Sequence, residues 1–459
     1  MSQQSELPDA GRFREKRMTP TKTMRTAVAV ALSMGTMPVF GQALDSGDTA
    51  WVTTASALVL FMTIPGLALL YGGLVRANSV LSVLLQCFSI ACLVSVLWLV
   101  AGYSLAFGGF DSRFIGDFSR VLYQGMGENV LIGTVPESIF ATFQLTFAII
   151  APALIVGAFV ERVRFSSVLW FTAGWSLLVY APVAHWIWGG GWLGQMGLLD
   201  YAGGTVVHVT AGTGALVAAM VLGPRQGFPH ATKPPHSTVL ALVGGAMLWV
   251  GWFGFNGGSA LAANGDATMA IVATQTAASV GALVWMGLEW MRDGKPTVVG
   301  AVLGMIAGLA IVTPASGFVG PGGALVMGMI GGIACFTAMG IIKRSLKIDD
   351  SLDVFPIHAV GGGIGTVLVG VFASDTLGMF AGQHNIEIAD QVSVQAIGVL
   401  AAASYTAAVT WVLLKVVGLF APPRVSEEEE AEGLDVAFHG ERGYVIPEED
   451  LPEDTTQAT

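Results

Sequence analysis

Two histidines lie inside long apolar segments of the sequence, His208 in Thr205–Leu222 and His358 in Phe355–Phe372. Ionisable side chains within membrane-spanning helices are costly, and for that reason they usually serve a function. Burial disfavours the imidazolium and two adjacent cations repel, so a histidine pair would be neutral or share one added proton. Such a pair offers N–H donors and N acceptors that line a path for a small polar molecule or relay a proton. The alternative is two separate core histidines, each bonded to a backbone carbonyl.

Aromatic side chains cluster near one end of three further apolar segments. The principal ones are Phe147, Trp188 and Phe255, and Ser259 follows the last of them closely. Aromatic faces attract a small cation by about 1–2 kcal/mol, depending on desolvation, and a serine hydroxyl adds an acceptor. From these residues alone, the cluster is explained by an interfacial aromatic belt, with a cation-binding site as the alternative.

One acidic residue, Asp200, precedes the segment that contains His208. A carboxylate at a helix start accepts hydrogen bonds from free backbone N–H groups and complements the helix dipole. We expect a structural role for Asp200, with an indirect effect on cation binding.

The composition indicates an integral membrane protein. The 459-residue chain is 53% hydrophobic and 12% charged, with a mean hydropathy of +0.68, whereas soluble domains carry about 25% charged residues. Its 60 glycines suit close packing of helices in lipid.

The composition also excludes several classes of function. The acidic residues that give the net charge of −11 cluster in the tail, which argues against a nucleic-acid partner. Cys87, Cys92 and Cys335 lack metal-ligand spacing, and no catalytic triad or nucleotide loop is present, so neither an enzyme nor a cofactor is expected.

Eleven segments are long and apolar enough to span a bilayer, which takes about 20 residues. The sequence therefore predicts an all-α integral membrane fold with eleven transmembrane helices: Ala50–Tyr71, Leu81–Ser104, Ile139–Val160, Ser166–Trp188, Thr205–Leu222, Ser237–Phe255, Ala270–Trp290, Val298–Val312, Ala324–Ile342, Phe355–Phe372 and Val392–Phe420.

The two ends of the chain differ in character. Residues 1–43 have the basic region, the short apolar core Ala27–Phe40 and the small-residue site at Ala43 that are typical of a cleaved signal peptide. An uncleaved anchor helix is the alternative. Residues 44–420 would form the membrane domain, and residues 421–459 a soluble tail, which the resemblance given below implies is cytoplasmic and regulatory.

Basic residues predict the orientation. Of 21 lysines and arginines, six lie in the signal region, thirteen on the tail's side of the membrane and two, Arg113 and Arg120, on the other. Because basic loops stay in the cytoplasm, the N-terminus is predicted outside and the tail inside.

The eleven segments divide into two sets of five and one extra. An odd number per set inverts the second set relative to the first, a common transporter plan with the path between the halves. His208 and His358 occupy the fifth segment of each set, and small residues follow both. The sequence predicts a five-plus-five inverted repeat with an extra C-terminal helix, whose two fifth helices cross closely.

Several ordered motifs resemble those of the ammonium transporter family (Amt/Mep/Rh). The resemblance runs from about Trp51 to Tyr444, and Trp188 with the tail motif favours the bacterial Amt branch. The motifs are Ala57–Gly66, Tyr71–Arg76, Val160–Phe165, Asp200–His208, Gly251–Ser259 and Asp349–His358.

The resemblance implies a role for each candidate residue. Trp188, Phe147 and Ser259 would recruit ammonium at the outer face, and Asp200 would support that site from behind. Phe147 and Phe255 would stack as a gate, and His208 and His358 would be the paired pore histidines. Pro356-Ile357 and Gly361 depart from the common family pattern but leave these polar groups unchanged.

The resemblance also implies partners and location. The expected solute is ammonium or ammonia, with methylammonium as an analogue, and the expected assembly is a homotrimer in the inner (plasma) membrane. A PII signalling protein would bind at the cytoplasmic face, where Glu432–Val436 with His439-Gly440 resembles the tail involved.

These features together predict a mechanism. NH4+ would be captured outside and deprotonated, and neutral NH3 would pass the histidines, with its proton left behind or relayed separately. A bare ion in an apolar pore is far more costly than a neutral molecule, which would exclude K+. A neutral-gas channel of the same fold and an ammonium sensor that signals through its tail are the alternatives.

Overall fold

The computed structural model describes residues 43–109, 112–375, 377–378 and 386–444, so the expected signal peptide lies almost wholly outside the described residues. Eleven helices in these ranges are long and apolar enough to cross a membrane, as the sequence predicts. The predicted segment Phe355–Phe372 has the same ends in the structure, and most of the other ends differ from the predicted ones by one to several residues. The helices are α1 (Ser46–Leu74), α2 (Ala77–Phe107), α3 (Glu137–Phe159), α4 (Phe165–Gln195), α5 (Gly204–Leu222), α6 (Thr238–Gly258), α7 (Gly265–Asp293), α8 (Val298–Ala315), α9 (Pro321–Ser345), α10 (Phe355–Phe372) and α11 (Ile388–Gly418).

Short elements occupy the loops and the tail. The hairpin of β1 (Leu131–Ile132) and β2 (Val135–Pro136) lies between α2 and α3, and α12 (Glu427–Glu432) follows α11. Because lipid offers no hydrogen bonds, each spanning helix must satisfy its own backbone, and polar residues satisfy the ends. Ser237 and Thr297 illustrate this: their hydroxyl oxygens accept from backbone N–H groups at the starts of α6 and α8.

The packing of the helices repeats between the two sets of five. In the first set α3 packs against α2 and α5, and in the second α8 packs against the corresponding helices, α7 and α10. The halves meet where α1 packs against α6 and where α5 packs against α10, and α11 covers α5 and α10 from one side. This arrangement confirms the five-plus-five plan with one extra helix.

Small residues allow α5 and α10 to cross closely. A Cβ at Gly212 would collide with the backbone of Ala359, and a Cβ at Gly362 would lie 2.6 Å from the Cβ of His208. The predicted close crossing is therefore confirmed, and it brings the two histidine-bearing turns together.

The described part of the tail packs on the membrane domain instead of extending freely into solvent. The carboxylate of Asp435 accepts from the N–H groups of Leu81 and Ser82 at 3.1 and 2.8 Å, near the start of α2. The buried carboxylate of Glu430 accepts from the backbone of Gln226 at 2.7 Å and from Arg424 at 2.6 Å. The side of the molecule where α11 ends is called the tail face below, and the side where α1 begins is called the α1 face.

Candidate functional site

The two histidines form one buried pair between the halves of the fold. Their Nδ1 atoms are 3.2 Å apart and their ring centroids 5.1 Å apart, and the residues are 1% and 5% exposed. Of two Nδ1 atoms in contact, one must donate a hydrogen and the other accept it, so the neutral pair holds opposite tautomers. One Nε2 is then an acceptor and the other a donor, which gives the pair two different polar edges.

A wide helical turn carries each histidine. His208 lies in the π-helical turn Gly204–Val209, where its N–H donates to the carbonyl of Gly203 five residues earlier at 3.0 Å. His358 lies in the corresponding π-helical turn of α10, Phe355–Val360. Wide turns of this kind are rare and frequently lie at functional sites. Both fifth helices therefore begin with the same local distortion, and both use it to carry a histidine.

Aromatic rings continue from the histidines toward the α1 face. The ring of His208 stacks on Phe255 with centroids 5.9 Å apart, and Phe255 stacks on Phe147 at 4.2 Å. Phe147 meets Trp188 edge-on at 5.9 Å. The structure thus joins Trp188, the two phenylalanines and the histidine pair into one unbroken series.

Ser259 adjoins this series at the end of α6. Its hydroxyl donates to the carbonyl of Phe255 at 2.9 Å, which leaves the lone pairs of the serine oxygen available to another donor. Ser259 is therefore attached to the aromatic series through Phe255, and it offers an acceptor beside it.

Asp200 lies behind the aromatic series and organises the start of α5. Its two carboxylate oxygens accept from the N–H groups of four successive residues, 203–206, at 2.7–3.1 Å. Burial raises the pKa of the Asp200 carboxyl, whereas these four hydrogen bonds oppose that rise. The backbone carbonyl of Asp200 accepts from the indole Nε1 of Trp188 at 2.8 Å. Asp200 thus caps α5 and holds the tryptophan ring.

An apolar cavity continues from the histidines toward the tail face. Trp252 and leucine and isoleucine side chains from α1, α3, α6, α8 and α10 line most of it, and the carboxylate of Asp353 lies at its tail-face end. That carboxylate accepts from Lys343 at 2.7 Å. A narrow apolar lining with few polar groups admits a small neutral molecule at far lower cost than a bare ion.

A network of charged residues lies at the tail-face end of the path. Arg162 is fully buried and donates to the Asp349 carbonyl at 2.7 Å, and Arg225 makes two hydrogen bonds of 3.0 Å to the Asp349 carboxylate. Burial raises the pKa of the Asp349 carboxyl, but the charge and hydrogen bonds of Arg225 outweigh it and hold the pKa below its usual range. The sequence does not predict this network, although both arginines stand out as cations beside apolar segments.

The space beside Gly361 is filled from a neighbouring helix. A Cβ at Gly361 would lie 3.2 Å from the sulfur of Cys335 on α9, so the cysteine occupies the space beside the glycine.

In the described part of the chain, no group of three His, Cys, Asp or Glu side chains is placed to hold a metal ion.

Comparisons with known proteins match nearly the whole described chain. A family model, the Ammonium Transporter Family, matches residues 50–444. An ammonium transporter of Bacillus subtilis is 43% identical over 409 residues, covering 87% of this chain and 99% of the relative. One of Aquifex aeolicus is 47% identical over 405 residues, covering 87% and 94%.

Solved structures share the fold. Mep2 of Saccharomyces cerevisiae superposes with a TM-score of 0.77 at 38% identity, covering 84% of this chain and 88% of that one. A sensor Amt protein superposes with a TM-score of 0.79 at 29% identity, covering 86% and 98%.

Proposed function

Because the chain belongs to the ammonium transporter family, we propose that it moves ammonium across a membrane along the histidine pair. The observation that carries this proposal is the unbroken series from Trp188 through Phe147 and Phe255 to His208 and His358. In this proposal, one end of the series attracts the cation and the other end offers neutral polar groups.

Capture takes place at the α1 face, which the distribution of lysines and arginines predicts to be the outer face. NH4+ binds against Trp188 and Phe147, and the free lone pairs of Ser259 accept one of its hydrogens. Asp200 acts indirectly, because its carboxylate is occupied by four backbone N–H groups and its carbonyl accepts from the indole N–H of Trp188.

The substrate is deprotonated as it passes the stacked phenylalanines. Phe147 and Phe255, with centroids 4.2 Å apart, close the route until a substrate separates them. NH4+ gives up one proton, which stays behind or is relayed separately, and NH3 continues to the histidines. Their opposite tautomers offer NH3 both a donor and an acceptor. K+ has no proton to lose, and its dehydration in the apolar cavity is not compensated.

The assembly and its regulation follow the same family plan. The protein acts as a homotrimer in the inner membrane after its signal peptide is removed. A PII protein binds at the tail face, where Asp435 and Glu430 already fix the tail against the loops.

Uptake of methylammonium by cells that lack their own transporters tests the proposal. Wild-type protein confers saturable uptake that ammonium competes away, and Trp188→Ala raises the half-saturation concentration roughly tenfold, the equivalent of one lost cation–π contact. Trp170→Ala is the matched control, since Trp170 is 58% exposed on the same helix. Wild-type uptake equal to that of empty cells, or equal half-saturation in both variants, contradicts the proposal.

A sensor is the second candidate, favoured by the similarity to the sensor Amt protein. A sensor gives no uptake, but its expression changes the response of the cells to external ammonium. A channel for another neutral gas gives a flux with which methylammonium does not compete.

A further inference from the structure

Gln395 is a fully buried glutamine in α11, a helix that does not contribute to the aromatic series. Its amide uses all of its hydrogen-bonding capacity. Oε1 accepts from the N–H of Leu199 at 2.8 Å and from Gln391 at 3.0 Å, and Nε2 donates to the carbonyls of Leu199 at 2.6 Å and Thr366 at 2.9 Å. A buried polar side chain with four partners is costly to assemble, and the function described so far does not use it.

The first consequence of this geometry concerns Leu199, the residue immediately before Asp200. The amide of Gln395 pairs with both backbone groups of Leu199, much as a neighbouring strand would. On the other side of Asp200, the N–H of Tyr201 donates to the carbonyl of Pro314 at 3.1 Å. Asp200 is therefore held between two fixed neighbours, and Gln395 fixes one of them.

The second consequence concerns Trp188. Its indole N–H donates to the backbone carbonyl of Asp200, the residue that directly follows Leu199. A shift of the Leu199 backbone moves that carbonyl and with it the direction of the indole. The ring that meets ammonium is thus oriented through Asp200 by a side chain on α11.

The third consequence concerns the two pore helices. Gln395 also holds the carbonyl of Thr366 in α10, and the hydroxyl of Thr366 is 3.1 Å from the hydroxyl of Thr205 in α5. One amide therefore contacts the loop behind the outer site and the helix that carries His358.

We propose that Gln395 is a positioning residue for the outer ammonium site, acting on Trp188 through Leu199 and Asp200. This inference rests on the proposed function, because it assigns Gln395 to the substrate site that the transport proposal uses. Gln395 does not touch the substrate. Its loss weakens capture more than it slows the later passage along the histidines.

The test measures methylammonium uptake as a function of concentration for wild type, Gln395→Leu and Gln395→Met. Loss of the hydrogen bonds raises the half-saturation concentration roughly five- to tenfold and lowers the maximal rate less. Gln275→Leu is the matched control, because Gln275 is an exposed glutamine on α7. The methionine variant keeps a long unbranched chain, so it retains the packing if the branched leucine prevents assembly.

A double-mutant cycle with Trp188→Phe separates positioning from general damage. Phenylalanine lacks the indole N–H, so in that background Gln395→Met adds little to the half-saturation concentration. Fully additive effects, or wild-type half-saturation in both Gln395 variants, overturn the inference. Absence of uptake by the wild type overturns the proposed function instead. In that case, the near-ultraviolet circular dichroism of the purified variants tests whether Gln395 orients the tryptophan. An unchanged tryptophan signal there also overturns the inference.

Discussion

At the scale of single residues, the site depends on polar groups that are hydrogen-bonded to other groups of the protein. The histidines face each other, Asp200 is occupied by backbone N–H groups, and Trp188 donates to a carbonyl. Groups held in this way keep their geometry without substrate, which lowers the reorganisation needed when ammonium arrives.

The sequence predicts the residues of the path because polar and aromatic side chains are conspicuous in apolar segments. His208, His358 and Asp200 stand out for this reason, and family motifs surround them. The sequence does not predict the roles of Gln395 and Arg225, because their partners are backbone groups and carboxylates far away in sequence. A glutamine within an apolar helix is nevertheless a detectable signal, since such residues commonly bond across helices.

Replacement of Arg225 tests whether its pairing with Asp349 at the tail face stabilises the fold. Arg225→Met removes the two hydrogen bonds from the guanidinium to the Asp349 carboxylate and lowers the melting temperature of the purified protein. The pKa of Asp349 is depressed in the fold, so the pair stabilises above the unfolded pKa of about 4, and this stability is lost as the pH falls through the folded value. The difference between variant and wild type is therefore large at pH 7 and shrinks at pH 3. Lys295→Met, at an exposed lysine, is the control. A difference in melting temperature between Arg225→Met and wild type that does not change with pH would contradict a stabilising Arg225–Asp349 pair.

At the scale of helices, the site depends on paired distortions. The π-helical turns of α5 and α10 each carry a histidine, and they meet where Gly212 and Gly362 permit close approach. Hydropathy predicts the eleven helices and their order, because length and apolarity decide what spans a bilayer. It does not predict the wide turns, which depend on packing between helices distant in sequence.

Gly362→Ala tests whether this close approach sets the histidine geometry. The added methyl would lie 2.6 Å from the Cβ of His208, so the histidine or α10 must move, at a cost of about 1–3 kcal/mol. Maximal uptake falls more than the half-saturation concentration rises, because the nearest atom to the added methyl is the Cβ of His208, with the carbonyl oxygen of Gly204 next at 2.8 Å. Gly287→Ala is the matched control, since a Cβ there meets nothing within 4 Å. Equal maximal rates for the two variants would show that the crossing distance does not matter.

At the scale of the whole molecule, two halves of five helices meet at the path. Contacts of α1 with α6 and of α5 with α10 join the halves. The helix α11 packs on α5 and α10, and its Gln395 bonds to α10. The sequence predicts this plan from the count of segments and the matched histidines. It also predicts a soluble tail, whereas the described tail residues pack on the loops, because Glu430 and Asp435 find buried partners there.

The central claim is that the histidine pair lets ammonia pass and excludes a bare ion. Ammonium and K+ fluxes into liposomes that contain purified wild type, His208→Ala or His358→Ala test it most directly, with the exposed His230→Ala as control. We predict ammonium flux without K+ flux for wild type and the control, and for each pore variant either a reduced ammonium flux or an entry of K+. Wild-type ammonium flux with unchanged selectivity in both pore variants would contradict the account.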